Sequence, residues 1–509
     1  MTVLCLLSTA AHALPSFGEV KAAHKPSDVT LVDRHGTPIQ TVRTDKTVRR
    51  LPWVPLTDVS PALLHAIVLS EDQRFYQHSG VDWSAVAQSA WGNLWNTRTR
   101  GASTLTMQLA GLLDEDLARP TGGRSMTQKL GQAVTASRLE SRWKKTEILE
   151  AYLNRVAFRG ELVGVAALSQ TLFGKHPSGL DAHEAALAAA LLRSPNADAD
   201  TAARRACGVL QQQKLDCAGV VALAHAAFRK RGDMVLGEQL APHVARQLTL
   251  AQPMVRTTLD ARVQRVAIAT LRRHLAELSG RNVEDGAVLV LDNASGEVLA
   301  WVGSSGALSD AAQVDGVVAR RQAGSTLKPF LYGLAFERRL ITPASLLDDS
   351  PAQIATTSGL YLPQNYDKSF KGWVSARMAL GASLNVPAVR VGAMLGPEAV
   401  LARLNAFGFA LPESAGFYGH ALALGGADVT LLALTNAYRA LANGGRHAPV
   451  VLQPGASVSR RVADPAAIHL VTDILADNAA RAQTFGLDSA LVTPGFAAVK
   501  TGTSKDMRD

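Results

Sequence analysis

Apolar and polar positions alternate at helical spacing through most of the first 240 residues. Ser60-Pro61 followed by ALLHAIVLSE reads as an N-cap, a proline in the first turn and an apolar run that ends near Glu71. Glu71 then falls where a helix gives way to a loop. WSAVAQSAWGNL, KLGQAVTASRLE, KTEILEAYLN and the alanine-rich HEAALAAALLR continue the pattern, and no strand is expected among them. The texture changes after Pro253. VRTTLD precedes a helical stretch, and AVLVLDNASGEVLAWVG alternates β-branched residues around an Asn-Ala-Ser-Gly turn, which predicts a hairpin. LKPFLYGLAFE, VSARMALGASLN and VTLLALTNAYRAL are helical again, so an α+β domain beginning near residue 255 follows an α-rich one.

Length agrees with this division, since 509 residues exceed what one hydrophobic core organises. With 47% hydrophobic and 19% charged residues the chain is too apolar for disorder. The net charge of +9 suits an anionic partner, a phosphorylated lipid, a membrane surface or a nucleic acid, as well as a plain solubility bias. Cys5, Cys207 and Cys217 show no metal-ligand spacing, which argues against a zinc site. Cys207 and Cys217 read equally as a disulfide and as two buried thiols. The opening MTVLCLLSTAAHA is shorter than the roughly 20 apolar residues that span a bilayer. It reads as the remnant of a signal or anchor segment over residues 1–20, with Ala11-His12-Ala13 as a small-x-small cleavage pattern. Gly174-Lys175 lacks the rest of a phosphate loop, so no nucleotide site is expected.

Ser325-Thr326-Leu327-Lys328 sets a hydroxyl and an amine three residues apart on one helix face, where a lysine that loses its proton can activate the serine. Pro329 requires that helix to begin only a few residues upstream. The spacing alone has little value, because Ser141-Arg142-Trp143-Lys144 repeats it at what reads as a solvated helix end. Ser383-Leu384-Asn385 and Lys500-Thr501-Gly502-Thr503 give it company, in the chain order of the penicillin-recognising serine enzymes. Ser194-Pro195-Asn196 also fits Ser-x-Asn but precedes the nucleophile and reads as a turn. VRTTLD, LDNASGEVLAWVGS, AGSTLKPFLYGLAF, ALGASLNVPAV and LALGGADVTLLALTNAYRALANGG resemble the transpeptidase domain of class A penicillin-binding proteins, the 1C group in particular. The resemblance implies that Ser325 attacks a D-Ala-D-Ala carbonyl with Lys328 as base. Ser383 and Asn385 then relay protons and orient the substrate amide, and Lys500, Thr501, Gly502 and Thr503 receive its carboxylate. Backbone amides at the serine and on the strand of Lys500 would hold the oxyanion, each typically worth about 2.7–4 kcal/mol in barrier.

In the first half, EDQRFYQHSG from Glu71 is similar to the first signature of the family 51 peptidoglycan glycosyltransferases. GASTLTMQLA, KTEILEAYLN and EAALAAALLRSP resemble later signatures in the right order. The reaction that this implies joins a sugar 4-hydroxyl of lipid II to the anomeric carbon of a growing strand and expels a polyprenyl pyrophosphate. Glu71 is the base by resemblance, a role typically worth about 10²–10⁴-fold. Arg124, Lys129 and Arg138 suit the pyrophosphate, and Ser103, Thr104 and Gln108 offer neutral hydrogen bonds. Asp72 and His78 fall in the same substrate-binding set, His78 reading as a hydrogen-bonding structural residue rather than a ligand. Two positions depart from the family pattern. Gln132 stands where a second carboxylate is usual, and Gly111 replaces a basic residue.

The resemblance thus implies a multidomain chain: an α-rich, lysozyme-like glycosyltransferase domain over 50–215, a linker over 216–254 and an α+β, β-lactamase-like transpeptidase domain over 255–509. The function implied is a bifunctional peptidoglycan synthase at the periplasmic face of a bacterial inner membrane. Its partners would be lipid II, glycan strands, stem peptides, β-lactams and the membrane surface, with no nucleic acid. No cofactor is required; a divalent cation, Mg or Mn, is compatible with the family, although no cluster of acids demands one. Only seven residues follow Gly502, so the transpeptidase domain is expected to be incomplete and the chain truncated at both ends. Two other readings stay open: a β-lactam-binding scaffold whose polymerase site is lost at Gln132 and Gly111, and a polymerase alone.

Overall fold

The computed structural model describes residues 14–84, 103–113, 126–229, 237–356 and 359–504. The chain divides into two compact units, one built mainly from residues 41–238 and the other mainly from residues 256–509. Among the described residues no helix is long and apolar enough to cross a membrane.

The N-terminal unit is a helical assembly around one core. Its first long helix spans Pro61–Glu71, with the Ser60 hydroxyl accepting from Ala62 N at 3.2 Å, where the serine-proline pair predicts its start. Leu63, Ala66 and Ile67 are fully buried against the helix Ala182–Arg193 and its neighbours. That second helix is buried from Glu184 to Leu191, as a helix apolar on every face from Ala185 to Leu191 must be. Its start is a capping box: Asp181 accepts from His183 N and Glu184 N, while Glu184 reaches back to Asp181 N. Helices Leu105–Leu113, Met126–Glu140 and Lys145–Arg155 complete the part that carries the site. WSAVAQSAWGNL lies almost wholly outside the described residues.

Two sequence expectations change here. The first half holds strands after all, among them Arg49–Arg50, Ala157–Arg159 and Leu162–Val163 in one sheet. Elements of two or three residues are too short to show a period. Cys207 and Cys217, left undecided, are bonded, with Cα atoms 5.1 Å apart. The bridge ties the helix Ala199–Gln212 to the turn before the helix Val220–Arg229, which lies inside the stretch read as a linker.

In the C-terminal unit the predicted hairpin forms from Val288–Leu291 and Val298–Val302, with Gly296 at φ +80° in its turn. The helix Ala261–Glu277 is capped by the Asp260 carboxylate. At the centre runs the helix Lys328–Glu337, buried from Lys328 to Phe336, with Phe330 in edge contact with Phe407, Phe409 and Tyr438. The strand Arg320–Gln322 pairs antiparallel with Asp428–Thr430 and delivers the chain to Gly324. Lys500–Thr503, expected on a strand, belongs to none among the described residues. Just before it, Val499 N donates to Leu475 O at 3.0 Å.

Candidate active sites

Ser325 sits in a single 3-10 turn, Gly324–Leu327, from which the helix Lys328–Glu337 continues with Pro329 in its first turn. Lys328 is fully buried. Its Nζ donates to Ser383 O at 2.6 Å, Leu384 O at 3.0 Å and Asn385 Oδ1 at 2.8 Å, and lies 3.5 Å from Ser383 Oγ. Burial, and then the charge of Lys500, push the Lys328 ammonium well below its ordinary value. Three carbonyl-type acceptors suit an ammonium, while burial opposes its charge.

Ser383 is the hinge of this arrangement. Its φ of +63° is in the left-handed region, unusual for a residue with a side chain. The conformation presents its carbonyl to Lys328 while its hydroxyl accepts from Lys500 Nζ at 2.8 Å. Lys500 also donates to Thr501 O at 2.6 Å, and burial pushes its pKa down to about 7. Asn385 opens the helix Asn385–Leu395, its backbone N donating to Asn365 Oδ1 at 2.9 Å. Asn365 in turn donates to both oxygens of the fully buried Asp349, at 2.9 and 2.8 Å. Neither Asn365 nor Asp349 was singled out from sequence, because Asn365 lies 20 residues before Asn385 and Asp349 a further 16 before Asn365.

Glycines let the Ser325 turn approach both Gly425 and the segment after Lys500. Gly324 N donates to Gly425 O at 3.1 Å, and a methyl group at Gly425 would lie 1.7 Å from Gly324 O. One at Gly324 would lie 2.3 Å from Thr503 O, and one at Gly502 2.7 Å from the Thr326 methyl group. The backbone of Gly502 and Thr503 is therefore pressed against the turn that holds Ser325. Ser141 and Lys144, by contrast, are exposed beyond the end of Met126–Glu140, and Ser194-Pro195-Asn196 forms a turn.

In the N-terminal unit Glu71 is the last residue of its helix, with a side chain only 10% exposed. Its Oε1 accepts from Arg193 Nε at 3.0 Å and its Oε2 from Gln108 Nε2 at 3.1 Å. Tyr152 OH donates to Gln108 Oε1 at 2.9 Å, which fixes the amide so that its NH₂ faces Glu71. Arg193 also donates to Ser70 O. Arg193 and Tyr152 were not picked from sequence as site residues, although both lie inside the quoted signatures.

Asp72 caps the preceding helix and is buried. Its carboxylate meets His78 Nε2 at 3.0 and 3.1 Å and accepts from Leu105 N at 3.0 Å. His78 Nδ1 accepts from Gly80 N at 3.2 Å, so Nε2 is the protonated nitrogen toward Asp72. The Thr104 hydroxyl donates to Gly80 O at 2.6 Å and accepts from Met107 N at 3.1 Å, capping Leu105–Leu113. Ser103, one residue earlier, is half-buried, and Arg138 is exposed. Lys129 belongs to Met126–Glu140, but its side chain, like the whole of Arg124, lies outside the described residues. Gln132 is fully buried in the same helix, and Gly111 is half-buried in Leu105–Leu113. Both carboxylates of the first signature are thus engaged by protein groups. Among the described residues no three acids, histidines or cysteines group to hold a metal ion.

The Ser325 turn, the buried Lys328 in the helix that continues from it, and a second serine that meets two lysines follow the three-motif arrangement of the penicillin-recognising serine enzymes. Two family models match accordingly: transglycosylase over residues 35–214 and penicillin binding protein transpeptidase domain over residues 286–509. With both in this order, the chain belongs to the class A penicillin-binding proteins, in the 1C group. It is 36% identical to penicillin-binding protein 1C of Escherichia coli (strain K12), covering 94% of this chain and 62% of that one. To penicillin-binding protein 2D of Bacillus subtilis (strain 168) it is 30% identical, covering 77% of this chain and 59% of the relative. The crystal structure of penicillin-binding protein 1A from Haemophilus influenzae shares the fold at a TM-score of 0.55 and 18% identity, covering 90% of this chain and 80% of that one. The chain spans about three fifths of the length of the curated relatives it matches.

Proposed function

We propose that this chain is a bifunctional peptidoglycan synthase that polymerises lipid II in its N-terminal unit and cross-links stem peptides in its C-terminal unit. The observation that carries the reading is the convergence of Lys328, Ser383, Asn385 and Lys500 on one hydrogen-bonded cluster beside the Ser325 turn. In the cross-linking half, Lys328 takes the Ser325 proton as Oγ attacks the D-Ala-D-Ala carbonyl, and an acyl-enzyme forms as the terminal D-Ala leaves. Lys500, with Thr501, Gly502 and Thr503, takes the carboxylate of the substrate, and β-lactams enter the same way. In the polymerising half, Glu71 removes the acceptor hydroxyl proton, Gln108 orients it, and Arg124, Lys129 and Arg138 attract the pyrophosphate. Asp72, His78 and Thr104 shape the site through the hydrogen bonds they already make. Ser103 is available to a sugar.

The division into a glycosyltransferase domain over 50–215 and a transpeptidase domain over 255–509 is part of the proposal. So is placement at the periplasmic face of the inner membrane, which is supported by the Cys207–Cys217 bridge, a feature of oxidising compartments.

Incubation with lipid II, with products resolved by size, tests the polymerising half. The parent should extend glycan strands and Glu71→Gln should lose at least about 10²-fold in rate. A parent that makes no polymer would favour a β-lactam-binding scaffold, and a Glu71→Gln variant as active as the parent would refute the base. For the other half, a penicillin adduct digested and mapped by mass spectrometry should carry its label on Ser325.

A further inference from the structure

We propose that Asn365, anchored on the buried Asp349, is a positioning residue that turns the Asn385 amide toward Lys328 and so sets the rate at which Ser325 is acylated. The proposal rests on the reading of Ser325 as the nucleophile and Lys328 as its base.

The helix Asn385–Leu395 cannot cap itself. Its N-cap is Leu384, which makes no side-chain cap hydrogen bond, and an apolar residue there leaves the first backbone N–H groups without a local partner. Asn365 supplies the acceptor from another segment: its Oδ1 takes Asn385 N at 2.9 Å and Val386 N at 3.4 Å. Pro387, next in line, has no N–H to satisfy. One side-chain oxygen therefore fixes the start of the helix, at the residue whose side chain reaches Lys328. The neighbour of Asn365 holds that side chain as well. Gln364 O accepts from Asn385 Nδ2 at 2.8 Å, which leaves Asn385 Oδ1 facing Lys328 Nζ, also at 2.8 Å.

Asp349 decides which way round Asn365 sits. Both its oxygens accept from Asn365 Nδ2, at 2.9 and 2.8 Å, and Ser369 O accepts from the same nitrogen at 2.9 Å. A flipped Asn365 would set its oxygen against three acceptors and its NH₂ against two backbone N–H groups. Asp349 ends the strand Leu346–Asp349, opposite Gly372 of the strand Gly372–Ser375, and Lys371 N donates to its Oδ2 at 2.9 Å. Residues 365–371 are thereby closed at both ends on one side chain. Full burial of such a group is costly unless hydrogen bonds offset it, and the bonds that do so here are the ones that orient Asn365.

Stopped-flow acylation of the full chain by a fluorescent penicillin, over a range of concentrations at neutral pH, tests the relay. It separates the saturating acylation rate from the dissociation constant of the noncovalent complex, and the final labelled fraction counts intact sites. Asn365→Ala should lower the saturating rate about tenfold, as expected for one hydrogen bond, and change the dissociation constant by less than about twofold, because Lys500 and residues 501–503 keep their places. Asp349→Asn, a milder change of the same shape that sets one NH₂ against that of Asn365, should lower the same rate severalfold, and it carries the test if Asn365→Ala leaves no labelled sites. In an Asn385→Ala background, Asn365→Ala should cost less than about threefold more, since a residue that acts through Asn385 then has no side chain left to position. A smaller labelled fraction with parent-like kinetics would make Asn365 merely structural and overturns the proposal, as does full additivity with Asn385→Ala. A parent that is not acylated at Ser325 removes the reading of the nucleophile and the relay with it. A parent acylated there, with Asn365→Ala and Asp349→Asn both at the parent rate, removes the relay alone.

Discussion

Replacing Lys500 by arginine should carry the penicillin reaction to higher pH. Burial pushes Lys500 down to about 7, and a lysine that receives a substrate carboxylate must be protonated when the substrate arrives. At pH 9, two units above that value, about one molecule in a hundred carries the proton, a penalty of about 2.7 kcal/mol. Burial and the neighbouring Lys500 charge also hold Lys328 well below its ordinary value. The second-order rate constant for acylation of Ser325 should therefore fall about tenfold per pH unit above about pH 7.5. Arginine stays protonated throughout, so Lys500→Arg should hold its plateau to pH 9, at a lower absolute rate because the guanidinium is larger. Time-resolved labelling with a fluorescent penicillin from pH 6 to 9.5 at constant ionic strength gives both profiles. A flat parent profile to pH 9, or a variant that falls in parallel with the parent, refutes the reasoning. The same depressed value has a stability counterpart. Between about pH 7 and 10.4 the unfolded chain binds a proton that the folded chain has released, so the folded state gains stability as pH rises through that window.

The Cys207–Cys217 bridge closes a separation of ten residues, for which chain entropy gives about 2.7 kcal/mol. Cys207→Ser with Cys217→Ser should lower the unfolding midpoint of the N-terminal unit in denaturant accordingly, and an unchanged midpoint would show the bridge to be energetically idle. Gly425→Ala places a methyl group 1.7 Å from Gly324 O at a backbone φ of +78°. Penicillin labelling should drop by at least about 10²-fold while lipid II polymerisation by the same protein persists; labelling at the parent rate would mean that the turn holding Ser325 shifts without cost.

Long apolar runs with a cap at their head are legible in the sequence. Pro61–Glu71, Lys145–Arg155 and Lys328–Glu337 carry enough turns for the period to show, and serine or proline marks the start of the first. The family motifs named Ser325, Lys328, Ser383, Asn385 and Lys500, and the structure gathers the last four by hydrogen bonds. Pairings across long separations were not legible. Arg193 meets Glu71 over 122 residues, inside an alanine-rich stretch that reads only as core. The strand Arg320–Gln322 exists because Asp428–Thr430 lies beside it, which three residues cannot announce. Lys500–Thr503 shows the reverse: residues that suit a strand belong to none among the described residues. The cysteines spoke only of opportunity, since ten residues of spacing permit a bridge without requiring one.

Ser383 has a consequence for how this protein can be altered. A residue with a side chain held at a φ of +63° costs about 1–3 kcal/mol, a strain that glycine would relieve. The hydroxyl that accepts from Lys500 exists only if that cost is kept. A variant library selected for heat resistance alone will tend to place glycine or asparagine at position 383, and each such survivor will have surrendered the serine hydroxyl that stands between the two lysines. Durability and catalysis compete at this single residue, so any programme to harden the protein has to leave position 383 untouched and find its gains elsewhere.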